Sequence, residues 1–226
     1  EPKKMREAEA NVVAAAIVIW VGWLLVPGLL AAPLVAEREN GLRRVLLVNG
    51  GCSALAYALG TAAGDACLLA PVALVGAPLV ALAACYAAGR DAALAAAWWD
   101  GGAVAGCLAL FSLELVAYAQ LLARAFSSAA RCYVLAPLVS LFLNALPSIA
   151  MGALSKFVFA FSSTTTVAAV TYADLFVSPY AACFAAVSRL TFPDIAMLSP
   201  DFPPVSVACG AMAFMALVFW ALAFWL

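Results

Sequence analysis

Few residues in this chain are equipped for chemistry, and five of them fall between positions 37 and 44: Glu37, Arg38, Glu39, Arg43 and Arg44. Fixed charges packed this densely, between two apolar stretches, suit the presentation of a handle to a partner rather than a reaction. Histidine is absent, which excludes imidazole zinc sites, histidine-based triads and a histidine pH switch. The seven cysteines (Cys52, Cys67, Cys85, Cys107, Cys132, Cys183 and Cys209) contain no C-x-x-C pair and lie mostly in apolar runs. They read as small buried hydrophobes rather than as disulfides or metal ligands. No G-x-x-x-x-G-K-[ST] pattern occurs, so ATP binding through a P-loop is not expected of this segment. No nucleophile–base pair is visible, and no catalytic residue or metal ligand is assigned.

Two further acids, Asp65 and Glu114, stand inside apolar runs. A charge at mid-bilayer costs about 2.5–3.5 kcal/mol on insertion scales, so such a residue faces protein or water. Tyr118 lies four residues after Glu114 and shares its helix face. With Asn144, these form the possible substrate path: Glu114, Tyr118, Asp65 and Asn144. Asp65 also reads as a structural partner, for instance at a helix start near the cytoplasmic interface. The polar run 162–166 reads either as part of an exit path or as the tip of a hairpin.

The elements that must position these residues are set by composition. Apolar residues make up 68% of the 226 and charged residues 10%, against about 45–50% and about 25% in soluble domains. Mean hydropathy is +1.09. So few charges cannot build a polar exterior, and an all-α integral membrane protein is expected. The net charge of −1 carries no information about nucleic-acid or acidic partners; there is no basic tract beyond the opening segment, and no nucleic-acid partner is expected.

Residues 1–10 are polar, charge-balanced and suited to an interface. Residues 11–36 are uncharged, long enough for a first span, and carry Trp20 and Trp23 mid-run with Pro27 and Pro33 as expected kinks. Residues 37–48 predict one amphipathic helix, with Glu39 and Arg43 paired at i, i+4 and Leu42, Val45 and Leu46 on the opposite face. Residues 54–88 predict an interfacial first turn or two and then one long tilted span. Residues 90–102, with Trp98, Trp99 and Asp100, read as an interfacial loop. Spans three and four are expected at 103–123 and 132–155, joined by the turn 124–131. Residues 157–188 hold two runs too short to cross and fit a re-entrant hairpin. A proline-rich loop, 189–204, leads to a fifth span at 205–226.

The arginines give an orientation. Arg38, Arg43 and Arg44 in the handle, and Arg124 and Arg131 in the turn 124–131, place both on the cytoplasmic side. The chain opens on Glu1 and closes within an apolar run at Leu226. A piece of a longer polypeptide is therefore expected, with a further span upstream.

In order and spacing, four stretches resemble the transmembrane half of an ABC transporter of subfamily A, the lipid-exporter type, and its C-terminal half in particular. They are Val26-Pro27 followed by Glu37-Arg38 and Leu46; Tyr57 with Asp65 eight residues on; Ala125-Phe126-Ser127-Ser128-Ala129 within 118–133; and Phe192-Pro193. Ala58 and Gly64 stand where the family has tryptophans. The resemblance covers most of 11–226. It implies a polytopic helical bundle of five spans plus a re-entrant hairpin before the last, and movement of lipids or amphiphiles across a bilayer. It further implies a nucleotide-binding domain outside this segment holding ATP and magnesium, a second transmembrane unit as partner, and a multi-pass location in the plasma membrane or an organelle membrane. By the same resemblance, residues 37–48 form the coupling helix, with Glu37, Arg38, Glu39, Leu42, Arg43 and Arg44 facing the nucleotide-binding domain. The other readings of the sequence are a stand-alone permease or channel subunit and a membrane scaffold, neither driven by ATP.

Overall fold

Helix α4, Leu94–Ala125, is the axis around which the other elements pack. The computed structural model describes residues 24–87, 94–146, 149–150, 153, 169, 172–176, 178–191 and 203–225. Among the described residues the chain is all helical. The order is α1 (24–39), α2 (Leu42–Val48), α3 (Ala54–Ala87), α4, α5 (Ala129–Ser140) with a π-helical turn at Leu141–Ala145, α6 (Pro179–Thr191) and α7 (Val205–Trp225).

Burial on α4 runs almost all the way round. Phe111, Leu115, Val116, Ala117 and Ala119 are sealed, because α3, α6 and α7 each pack against it. Small residues let the helices approach closely. Ala182, Ala186, Ala208 and Ala211 are all fully buried. The outward faces remain apolar: Leu68 is 71% exposed and Leu217 70%. An interior of small residues with an apolar exterior is the reverse of a soluble surface, where large contiguous apolar patches are uncommon. Two helices, Gly102–Ala125 and Val205–Trp225, are long and apolar enough to cross a membrane.

Local sequence explains the boundaries. Ser53 caps α3, its Oγ accepting the Ala56 N–H at 3.1 Å. Ser178 caps α6 in the same way through the Ala181 N–H at 3.3 Å, and Pro179 occupies the first helical position, where its missing N–H costs nothing. At 13 residues, α6 is about 20 Å long, shorter than the ~30 Å hydrocarbon core. Arg189 Nη1 at its end donates to the Pro203 carbonyl at 3.2 Å, tying α6 to the start of α7. The π turn comes just before Pro147, which has no N–H to offer the carbonyl of residue 143.

Two expectations are corrected. The handle is not one helix over 37–48. Glu37, Arg38 and Glu39 end α1, the chain turns at Asn40-Gly41, and α2 begins at Leu42. Gly41 adopts φ 71°, the left-handed conformation that ends helices, with its N–H donating to the Arg38 carbonyl at 3.2 Å. The stretch 94–102 is helix rather than loop, because Leu94 to Ala97 favour helix strongly enough to carry it through Trp98, Trp99 and Asp100. The expectations for residues 1–10, Trp20 and Trp23, Arg90, the run 162–166 and Phe192-Pro193 lie outside the described residues.

The packing of α7 on α4 has a direct check. Cys107 Sγ and Cys209 Sγ are 3.5 Å apart, and both are free thiols. Mild copper–phenanthroline oxidation should join them, giving a 107–209 linked peptide by mass spectrometry. Exposed Cys67 should remain a monothiol. Failure of the 107–209 link under conditions that oxidise a control thiol pair would refute this helix pairing.

Candidate functional site

Three consecutive side chains at the end of α1 reach three different elements. Tyr57, in the first turn of α3, donates its hydroxyl to Glu37 Oε2. Arg38 Nη2 donates to the carbonyl of Phe126, just past the end of α4. Glu39 Oε2 accepts the N–H of Ala129, the first residue of α5, at 2.9 Å.

The chemistry of helix ends accounts for these partners. The last carbonyls of α4 and the first N–H groups of α5 have no partners within their own helices. Ser128 sits at the N-cap of α5, yet its side chain makes no cap hydrogen bond. Glu39 supplies that acceptor from another helix, and a carboxylate there also meets the positive end of the helix dipole. Arg38 complements the opposite pole at the end of α4. Each contact of this kind is worth about 1 kcal/mol. Handle and turn 124–131 therefore lie together at one end of the bundle, as their shared arginine content predicts.

Arg43 does not pair with Glu39, because the turn at Gly41 separates them. Its guanidinium lies 5.6 Å from the centre of the Tyr57 ring, in cation–π contact. Tyr57 lies in the first turn of α3, at the interfacial end of that helix. Burial first, then its hydrogen bond to Glu37, push its phenol up to about 12, so it remains a donor at neutral pH. Gln120 Nε2 on α4 donates to Thr61 Oγ1 on α3 at 3.2 Å, closing the corner from the bundle side.

What projects is α2, which buries no residue. Leu42, Val45 and Leu46 do share a face, as the sequence predicts, and that face is exposed. Arg44 is exposed as well. Gly51, beyond its end, has φ 62°, so a left-handed glycine stands on each side of this seven-residue helix.

The proposed path residues fall on three elements. Glu114 is fully buried on α4, with neither carboxylate oxygen hydrogen-bonded among the described residues. Tyr118, one turn on, is 5% exposed, accepts from Ser140 Oγ at 3.4 Å and packs on Phe219. Asp65 lies a dozen positions into α3, not at a helix start, with one oxygen buried and without a hydrogen bond among the described residues. Asn144 falls in the π turn. Sequence reasoning passed over Tyr57 as a site residue, along with the Phe126 carbonyl and the Ala129 N–H. A side-chain pattern cannot announce the two backbone groups. Tyr57 is signalled only by its place in the resemblance. No protein-family model, curated protein or solved structure matches this chain.

Proposed function

We propose that this chain is the membrane-spanning part of an ATP-driven transporter that moves lipids or amphiphiles, in a multi-pass membrane setting. The corner at 37–44 is where a cytoplasmic nucleotide-binding domain, holding ATP and magnesium outside this segment, pushes on the bundle. The observation that carries this reading is the knot made by Glu37, Arg38 and Glu39. A displacement of α2 reaches α1 directly, and α3, α4 and α5 through one side chain each. A coupling element needs an exposed face for the partner and a stiff connection to the spans, and α2 with its corner has both. Two helices long enough to cross and the apolar outer surface support the membrane setting. Glu114, Tyr118, Asp65 and Asn144 remain the polar groups available to a headgroup once the bundle opens, with a second transmembrane unit as the opposite wall.

Mass-spectrometric sequencing of the intact native polypeptide tests this. A Walker A motif within roughly a hundred residues after Leu226, or an ATPase co-purifying, is expected. A polypeptide with neither would overturn the proposal in favour of a permease subunit or scaffold.

A further inference from the structure

The corner also encloses a feature that coupling does not use. Arg38, Arg43 and Arg124 line one cavity of about 30 Å³, together with Tyr57 and Gln120. Arg38 and Arg124 continue into an open cleft of about 380 Å³ beside Phe126 and Ser127. The guanidiniums come from three different elements and meet at this one cavity. No carboxylate lines the cavity. Glu37 is engaged by Tyr57, and Glu39, at the cleft edge, by the Ala129 N–H. Arg38 gives one of its five donors to Phe126, and Arg43 rests on an aromatic face. Arg124 has no hydrogen-bond partner among the described residues, although it is only partly exposed.

Three cations held together at a half-buried site repel one another unless an anion joins them. Planar guanidinium forks match the oxygen geometry of phosphate, donating to it in pairs of parallel hydrogen bonds. A cavity of this size admits one oxygen of such a group, while the cleft takes the remainder. We propose that Arg38, Arg43 and Arg124 form a phosphate-binding site at this end of the bundle. Its ligand is a phosphate monoester or free phosphate. In a membrane the natural source is an acidic lipid headgroup, because the site lies where the apolar helices end. The inference needs only the geometry of the corner and holds whether or not ATP drives the protein.

The test uses the purified chain in uncharged detergent, with three probes: dihexanoyl phosphatidic acid, the matching diacylglycerol, and inorganic phosphate. Binding is read by native mass spectrometry and by the shift in melting temperature. Phosphatidic acid should bind and stabilise, and diacylglycerol should not. Arg124→Gln should weaken binding about tenfold or more, the effect of losing hydrogen bonds to a charged group, and Arg124→Lys should restore part of it. Binding of phosphatidic acid alone identifies a lipid headgroup as the source. Binding of inorganic phosphate as well, or alone, supports the same site with a soluble source. Should Arg124→Gln fail to fold, Arg43→Gln gives the same reading, since Arg43 rests on the Tyr57 ring and makes no hydrogen bond among the described residues. Equal binding of diacylglycerol, no binding of either phosphate, or undiminished binding by the folded glutamine variant would overturn the proposal.

Discussion

If the proposed coupling role holds, replacing Leu42 with Ser and Arg44 with Glu, together, will leave the bundle folded and remove transport. Both side chains are exposed on α2, and neither takes part in the contacts that hold the corner. Exposed substitutions away from such contacts usually change stability by within about 0.5 kcal/mol. Their importance therefore depends on something docking against α2. If a nucleotide-binding domain does, the pair removes an apolar anchor and reverses a charge at the interface. Loss of an interface anchor costs about 2 kcal/mol, which is more than tenfold in a binding constant. In the transporter proposed here, reconstituted in vesicles with its nucleotide-binding domain, lipid movement should then fall by at least about tenfold while basal ATP hydrolysis persists without stimulation by lipid. Arg43 is left intact because it lines the cavity with Arg38 and Arg124, and its loss would mix docking with anion binding. Unchanged transport would mean that α2 is an interfacial helix with no docking role.

The corner was partly legible from the residues. Arginine content alone placed 37–48 and 124–131 on the same side, and Arg38 and Glu39 do meet that turn. The break at Gly41 was hidden by the stronger pattern around it. The i, i+4 spacing of Glu39 and Arg43 and the apolar face of Leu42, Val45 and Leu46 favour one continuous helix, whereas Asn40-Gly41 is a stop signal a single residue wide. The cost of that break is offset from outside the segment, by the ends of α4 and α5. Those ends recruit Arg38 and Glu39 into roles that a linear pattern does not express. The same limit applies at 94–102. Tryptophans beside Asp100 and two glycines resemble a loop, yet the alanines ahead of them, with α4 continuing through Ala125, keep the stretch helical. Helix existence followed from the apolar runs. The partners of individual polar atoms depended on which helix ends met.

The largest effect on folding is expected from Gly28→Leu. Pro27, Ala31 and Val35 form the buried stripe of α1, and Gly28 lies beside it, facing α5. A Cβ at position 28 would sit 3.3 Å from Ala136 Cβ and 3.4 Å from Pro137 Cδ, with the Tyr133 carbonyl at 3.6 Å. None of these is the end of a flexible side chain. Ala136 is fully buried, and Pro137 has its ring fixed to the backbone, so the crossing cannot widen at this point without moving a helix. Forcing extra carbons into such a contact costs about 1–3 kcal/mol or more. For a chain of this length that lowers the melting temperature by roughly 5–10 °C. The α1–α5 crossing also aligns Arg38 and Glu39 with the turn 124–131, so the variant should lose the corner together with stability. Gly60→Ala is the contrasting change. It lies within α3 with nothing within 4 Å of its Cβ position, so alanine adds no clash and relieves the helix penalty of glycine, a gain of up to about 1 kcal/mol. Melting in detergent separates the two. A tolerated leucine at 28, with the thermal shift of alanine at 60, would mean that α1 and α5 do not cross there and that the corner is held by its side chains alone.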